Sequence, residues 1–233
     1  MKLSSKFQPV KTRRTVQDQV YDQLREALVS GAFEAGQGFT IPALAEKFMT
    51  SHMPVREALR RLAAENALRI SSTGTAVVPH LDSDEWRKIC EVRLILEPCA
   101  AEIAFDKMDE IEIAELKALL KTHKEAVEAG DIIAMLAANR AFHFRIYDAS
   151  NNDVLSNQIE NLWLRSGAYV RYLSDRTTEL LRSDYRSNYT IHHDDMIAAL
   201  EGRDKARFRA AMYEDVVATR NLVQRFLSDG SAT

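Results

Sequence analysis

Little in this sequence interrupts a helix. Its 233 residues hold 5 prolines and 8 glycines, too few for a collagen-like or low-complexity chain. Cysteine is confined to Cys90 and Cys99, which excludes a disulfide scaffold and fits a reducing compartment. No apolar run approaches the ~18 residues that a membrane span needs. The opening stretch MKLSSKFQPVKTRR lacks the apolar core of a signal peptide, so a cytoplasmic chain is expected. What remains is 46% hydrophobic and 28% charged. That is the profile of a soluble globular protein with room for one large domain or two ordinary ones.

A formal net charge of −3 conceals an uneven distribution. Residues 1–80 carry 11 Lys+Arg against 7 Asp+Glu, a net of +4, and the rest of the chain carries −7. A basic first third on an acidic remainder suggests a small module that meets an anion, joined to a body that does not. On one helix, Cys90 and Cys99 would lie on opposite faces, because nine residues at about 100° each carry the chain round to the other side. They cannot bridge there, and both read as buried small hydrophobes.

Punctuation divides the chain at about Pro79. Residues 1–14 read as a flexible basic arm. A helical pattern starts at Thr15, with Val16, Val20, Leu24, Ala27 and Leu28 apolar, and stops at Gly31. The stretch GAFEAGQGF holds three of the glycines and reads as a loop. A short helix, IPALAEKF, carries Pro42 in its first turn, where proline is tolerated. A third helix runs from Pro54 to about Asn66, with Val55, Ala58, Leu59 and Leu62 on one face. LRI and AVVP, around a turn containing Gly74, read as a β-hairpin. From Ser83 to Leu227 there is one proline, Pro98, and three glycines. The period there is helical, predicting helices at about 83–107, 109–129, 131–149, 152–174, 176–201 and 203–228. Their short polar breaks imply an antiparallel bundle. The expectation is therefore a mostly α protein: a winged helix-turn-helix over 1–80 and a six-helix bundle over 81–233.

Three helices followed by a hairpin is the order of a winged helix-turn-helix, whose last helix enters the DNA major groove by its N-terminal residues. Here that helix carries Arg56, Arg60 and Arg61 against its apolar face. Guanidinium groups suit phosphate and guanine, because their donors form a fixed fork. At the wing tip, Thr73, Gly74 and Thr75 let the backbone approach a phosphate or the minor groove. A solvated basic helix in a protein-interaction module, meeting an acidic partner, gives the same pattern.

The segment PVREALRRLAAENALRI, preceded by LVSGAFEAGQGF and LAEKF, resembles the N-terminal domain of GntR-family transcription regulators. Ser51, Pro54, Val55, Arg56, Glu57, Ala58 and Leu59 match that family's recognition segment, and the Gly74 wing fits. The resemblance implies DNA contacts at Ser51, His52, Met53, Arg56, Arg60 and Gly74. Two of these depart from the family pattern, with His52 in place of the usual Arg and Met53 in place of the usual Thr. Asn66 stands where a helix-ending Gly is common, which Asn can replace because it tolerates the left-handed conformation.

The body shows the same kinship. EVRLILEPCAAEIA, ANRAFHFRIYDASNNDVL and HHDDMIAALEGRDKARFRAAM resemble the FCD ligand-binding domain of the FadR-like branch, in its shorter VanR-type arrangement. That resemblance implies a homodimer binding double-stranded operator DNA, with repression the commoner mode. It also implies a small effector, often a carboxylate such as a sugar acid or hydroxy acid. Many such domains hold a divalent metal, and the matching positions are Asn139, His143, His193 and Asp215. Asn139 and His143 lie four apart, about 40° around a helix, and so point the same way. Asn replaces an Asp and Asp215 replaces a His. The set keeps two imidazoles and one carboxylate, which suit Zn²⁺, Ni²⁺ or Mn²⁺ without selecting among them.

The residues themselves leave alternatives open. An Asn-x-x-x-His pair is more often a pair of satisfied polar residues than a metal half-site. Arg93 matches a characteristic Arg of the domain and is the first candidate to hold an effector carboxylate. It reads equally as the intrahelical partner of Glu97. Arg165 is the second candidate. Trp163, Tyr169 and Tyr172 could line a cavity or pack in the core. His192 reads as facing outward or supporting a ligand, and His80 and His123 carry no signal. A metal-dependent enzyme, with Asp194 or Asp195 as base, is the alternative of another class.

Overall fold

A computed structural model describes residues 15–71, 74–176 and 190–230. The basic arm at 1–14, Thr73 at the wing tip and the first half of the helix expected at 176–201 lie outside the described residues.

In the first third, α1 (Val16–Val29), α2 (Ile41–Lys47) and α3 (His52–Ala64) precede a three-stranded antiparallel sheet. Thr15 and Asp18 close a reciprocal capping box at the start of α1, which satisfies two otherwise free N–H groups. The expected hairpin is β2 (Arg69–Ile70) with β3 (Ala76–Val77). The sequence reading missed a third strand, β1 (Gly38–Phe39), inside the glycine loop, which pairs Gly38 with Val77 and Phe39 with Ala76. Val20, Leu24 and Leu28 of α1 bury against Val55, Leu59 and Leu62 of α3. Val16 is half exposed, and Tyr21 takes its place in the core. Asn66 adopts the expected left-handed conformation, at φ 60°.

The body begins with α4 (Ser83–Phe105), α5 (Glu110–Ala129) and α6 (Ile132–Ala149). The polar breaks are caps. Asp82, Asp109 and Asp131 each accept a backbone N–H of the helix that follows, and Gly130 ends α5 at φ 70°. The helix expected over 152–174 is present in two pieces, α7 (Asp153–Arg165) and α8 (Gly167–Asp175). The break is at Ser166, whose hydroxyl donates to the Leu162 carbonyl at 2.8 Å, and Ser/Gly pairs are recurrent kink sites. Then come α9 (Ile191–Glu201) and α10 (Lys205–Gly230), and α10 packs along α4. The bundle core is built from Ala100, Leu116, Phe142, Ile146, Met196, Leu200, Phe208 and Met212, among others. Cys90 is buried as expected, but Cys99 is exposed. The reason is the opposite-face geometry itself: one face of α4 meets the bundle and the other meets solvent.

The winged module docks on the α7–α8 break. Leu164 of α7 belongs to the core of the first third. Arg25 pairs with Glu160, and Arg140 pairs with Glu26 at 2.7 Å. Gly167 opens α8 directly against the end of α1. A Cβ placed there would stand 1.9 Å from the Leu28 carbonyl oxygen, far inside contact. Gly167→Ala must therefore push α1 away from α8. Overpacking of this kind costs about 1–3 kcal/mol, so a lower melting temperature is expected, together with faster proteolysis between the winged module and the bundle. Wild-type values for both would show that the contact is not tight.

Candidate nucleic-acid interface and metal centre

Ser51 precedes α3 in extended conformation, and its side chain makes no capping bond. The first-turn N–H groups of α3 therefore have no side-chain cap from Ser51, which is exposed. His52, Met53, Arg56 and Arg60 are all exposed beside it. Arg60 also meets Glu57 at 2.9 Å. Arg61 differs from the other two arginines. Its guanidinium lies 3.6 Å from the Tyr21 ring centroid and bonds Glu65. Glu65 also accepts from the Tyr21 hydroxyl at 2.7 Å, so Arg61 helps clasp α1 to α3. Gly74 turns at φ 83° with open space around its Cα.

In the body, His143 of α6, His193 of α9 and Asp215 of α10 converge. His143 Nε2 lies 3.1 Å from His193 Nε2 and 3.2 Å from Asp215 Oδ2, and His193 Nε2 lies 3.3 Å from Asp215 Oδ1. Both imidazoles are 1% exposed. Asn139, one turn before His143, lines the cavity that adjoins them. Three of the four expected positions therefore meet atom to atom, and the fourth borders the same space.

Proton positions follow from the neighbours. Tyr147 donates its hydroxyl to Glu97 Oε2 at 2.6 Å. Burial, reinforced by Glu97, keeps that phenol protonated well above its ordinary range. Its oxygen can then only accept from His143 Nδ1, 3.1 Å away. His143 is thus the Nδ1–H tautomer, with a lone pair on Nε2. His193 Nδ1 in turn lies 3.2 Å from His123 Nδ1. Burial lowers His123 to about 3, helped by His193 and His143 nearby. Burial also lowers His193, against the pull of Asp215. Burial works against the Asp215 charge, but His193 and His143 outweigh it and hold the carboxyl well below the usual range. Two imidazoles and a carboxylate thus face one point, with the His143 Nε2 lone pair turned towards it. Their separations match the edge of a tetrahedron with metal–ligand bonds of about 2.0–2.1 Å, which is about 3.3 Å. The donor set fits a divalent cation.

Arg93 is 5% exposed and donates from Nε to Glu97 at 2.5 Å, with its guanidinium 4.9 Å from the Trp163 ring. Glu97 also accepts from Trp163 Nε1 at 3.1 Å. Burial opposes the Arg93 charge, but Glu97 outweighs it and the group stays protonated. Arg93 borders the cavity and is committed to Glu97. Arg165 pairs with Glu85 and lines a separate cleft near Asp82 and His80. The cavity of about 360 Å³ beside His143 is bordered by Trp163, Tyr169 and His192. Tyr172 instead bonds the Phe226 carbonyl. Sequence reasoning missed His123. It continues the buried stripe Ile113, Leu116, Leu120 and Val127 on α5, and a polar residue at that spacing was the available signal.

An exposed winged helix joined to a helical bundle with a cavity beside a buried polar cluster defines a class: DNA-binding regulators that carry their own sensor. Residues 16–78 match the bacterial regulatory proteins of the gntR family, and residues 88–218 match the FCD domain. The chain belongs to the GntR family of transcription regulators, in the branch with a C-terminal FCD domain. It is 33% identical to the HTH-type transcriptional regulator McbR of Escherichia coli (strain K12), over 84% of this chain and 87% of that protein. It is 28% identical to the gluconate operon transcriptional repressor of Bacillus subtilis (strain 168), over 90% and 88%. The solved structure of E. coli McbR/YncC superposes with a TM-score of 0.82 at 31% identity, covering 91% of this chain and 99% of that one. These are regulators and not enzymes, so the metal-dependent-enzyme reading falls. Among the described residues, no helix is long and apolar enough to cross a membrane.

If the tautomer of His143 is set through Tyr147, removing one hydroxyl should weaken metal binding. Tyr147→Phe is expected to lower Zn²⁺ affinity about 10–100-fold, and His143→Ala to abolish binding, in competition titrations against a chelator. An unchanged affinity in Tyr147→Phe would detach the phenol from the site.

Proposed function

We propose that the chain is a homodimeric repressor whose hold on operator DNA is released by a small organic acid bound in the bundle cavity beside a divalent metal. The winged module, residues 1–80, reads the operator through Ser51, Arg56, Arg60 and the Gly74 wing, with His52 and Met53 at the same face. The body, residues 81–233, dimerises and senses. His143, His193 and Asp215 hold Zn²⁺, Ni²⁺ or Mn²⁺, with Asn139 at the margin. The bound cation supplies a positive end for the effector's carboxylate. The chain works where its operator is, in the cytoplasm.

One observation carries the regulatory part. The helices that wall the cavity also hold the winged module. Trp163, Ser166, Tyr169 and Val170 border the cavity, while Leu164 and Gly167 touch α1. Tyr169 donates to the Asp82 carbonyl at 2.9 Å, in the segment that joins the two parts. An effector that favours one arrangement of α7 and α8 thereby biases the placement of α1 and α3. Repression is supported by relatives named as operon repressors, among them the gluconate repressor.

Dimerisation is supported by the outer faces of α4 and α10. Val92, Ile95 and the exposed Cys99 follow one another at three- and four-residue spacing, with Ile95 68% exposed, and Tyr213 is exposed on α10. Such a stripe on two adjacent helices suits a second copy. A two-fold dimer calls for a pseudo-palindromic site.

Genomic fragments retained by the protein supply the operator for titration at fixed salt. Arg56→Ala is expected to weaken that binding by about 1–3 kcal/mol, with the fold unchanged by circular dichroism. Unaltered affinity would remove Arg56 from the interface, and absence of any sequence preference would sink the operator reading.

A further inference from the structure

The cavity beside His143 is polar at one end and apolar at the other. Asp215, Thr219 and Val223 of α10 all border it. At four-residue spacing they share one helix face, and the first and last stand about 12 Å apart along the axis. His143 and Asn139 accompany Asp215. At the other end Trp86 and Tyr169 lie with ring centroids 4.7 Å apart. Val223 belongs to their packed cluster, with Leu173 against it.

The polar atoms near that second end already have partners. Trp86 Nε1 donates to the Arg220 carbonyl at 3.1 Å. The Tyr169 hydroxyl donates to the Asp82 carbonyl and accepts from the Asp82 amide at 3.2 Å. The Ser166 hydroxyl donates to Leu162. A hydroxyl pushed against this wall would give up water and gain no replacement for it, whereas a methylene there leaves water for an apolar surface.

We infer that the effector is a carboxylic acid with an apolar alkyl or aryl tail, and not a polyhydroxylated sugar acid. Its head sits at the Asp215 end and its tail lies against Trp86, Tyr169, Leu173 and Val223. The inference rests on the effector reading above and narrows it. Thr219, midway between Asp215 and Val223 on α10, borders the space between the ends and accommodates a substituent close to the head, such as a 2-hydroxyl. A volume of about 360 Å³ is at the small end for small-molecule sites, which favours a short tail. A carboxylate can approach Asp215 only with a cation between them, so binding requires metal.

The test is calorimetric titration of the full chain, Zn²⁺-loaded and chelator-treated, with lactate, 2-hydroxybutyrate, 2-hydroxyhexanoate and gluconate. On loaded protein, affinity is expected to rise about fourfold per methylene along the alkyl series. Gluconate, with as many carbons as 2-hydroxyhexanoate, is expected to bind more weakly than it by roughly tenfold or more. Leu173→Ser should reduce the gain in affinity per methylene along the alkyl series. Chelated protein should bind none of the four. Gluconate binding as tightly as 2-hydroxyhexanoate, or a flat alkyl series on wild type, would overturn the apolar tail and leave the effector reading standing. If no acid binds the loaded protein, both fall together. Equal binding after chelation would overturn the placement of the head.

Discussion

A carboxylate with no exposure to water must be surrounded by donors, because burying its oxygens without partners is costly. Glu97 meets that condition through three helices at once. Arg93 comes from its own helix, Tyr147 from α6 and Trp163 from α7. A buried ion pair of this kind is weak evidence for stability, because an apolar trio could fill the same space. Its consequence is positional. It sets α4, α6 and α7 in register around one pair of oxygens. It also takes the only proton Tyr147 can donate, and so determines which nitrogen of His143 is free.

That single proton direction links two features that are far apart in the chain. On one side, His143 turns a lone pair towards His193 and Asp215, and the three converge on one point. On the other side, Trp163 pins α7 beside the same carboxylate, and Leu164, the next residue, already belongs to the core of the winged module. The break at Ser166 and the bare Cα of Gly167 let α8 reach the end of α1. Sensor and DNA-binding parts are therefore joined through close-packed backbone, which transmits displacement because it has no room to absorb it.

The charge split of +4 and −7 now has a structural counterpart. Arg56 is exposed near the start of α3, while Arg61, in its last turn, is engaged with Tyr21 and Glu65. His52 and Met53, exposed at the same face, add no guanidinium to it.

Local rules made much of this protein legible in its sequence. The short polar breaks marked helix ends, and the structure shows why: Asp109 and Asp131 cap the helices that follow, and Gly130 takes the left-handed turn that ends α5. The 3.6-residue period marked the bundle because every one of its helices buries one face. Matching positions marked His143, His193 and Asp215. The sequence was silent where the deciding partner is distant in the chain. The strand at Gly38–Phe39 exists only because β3 offers it an edge. The break at Ser166 interrupts a segment whose own periodicity is continuous. His123 differs from a surface histidine only in that α9 happens to cover it. Composition and period determined the elements and their caps, since these depend on neighbours within about four residues. The tertiary structure alone decided which lone pairs meet and which carbonyl faces Gly167, because those contacts join residues far apart in the chain.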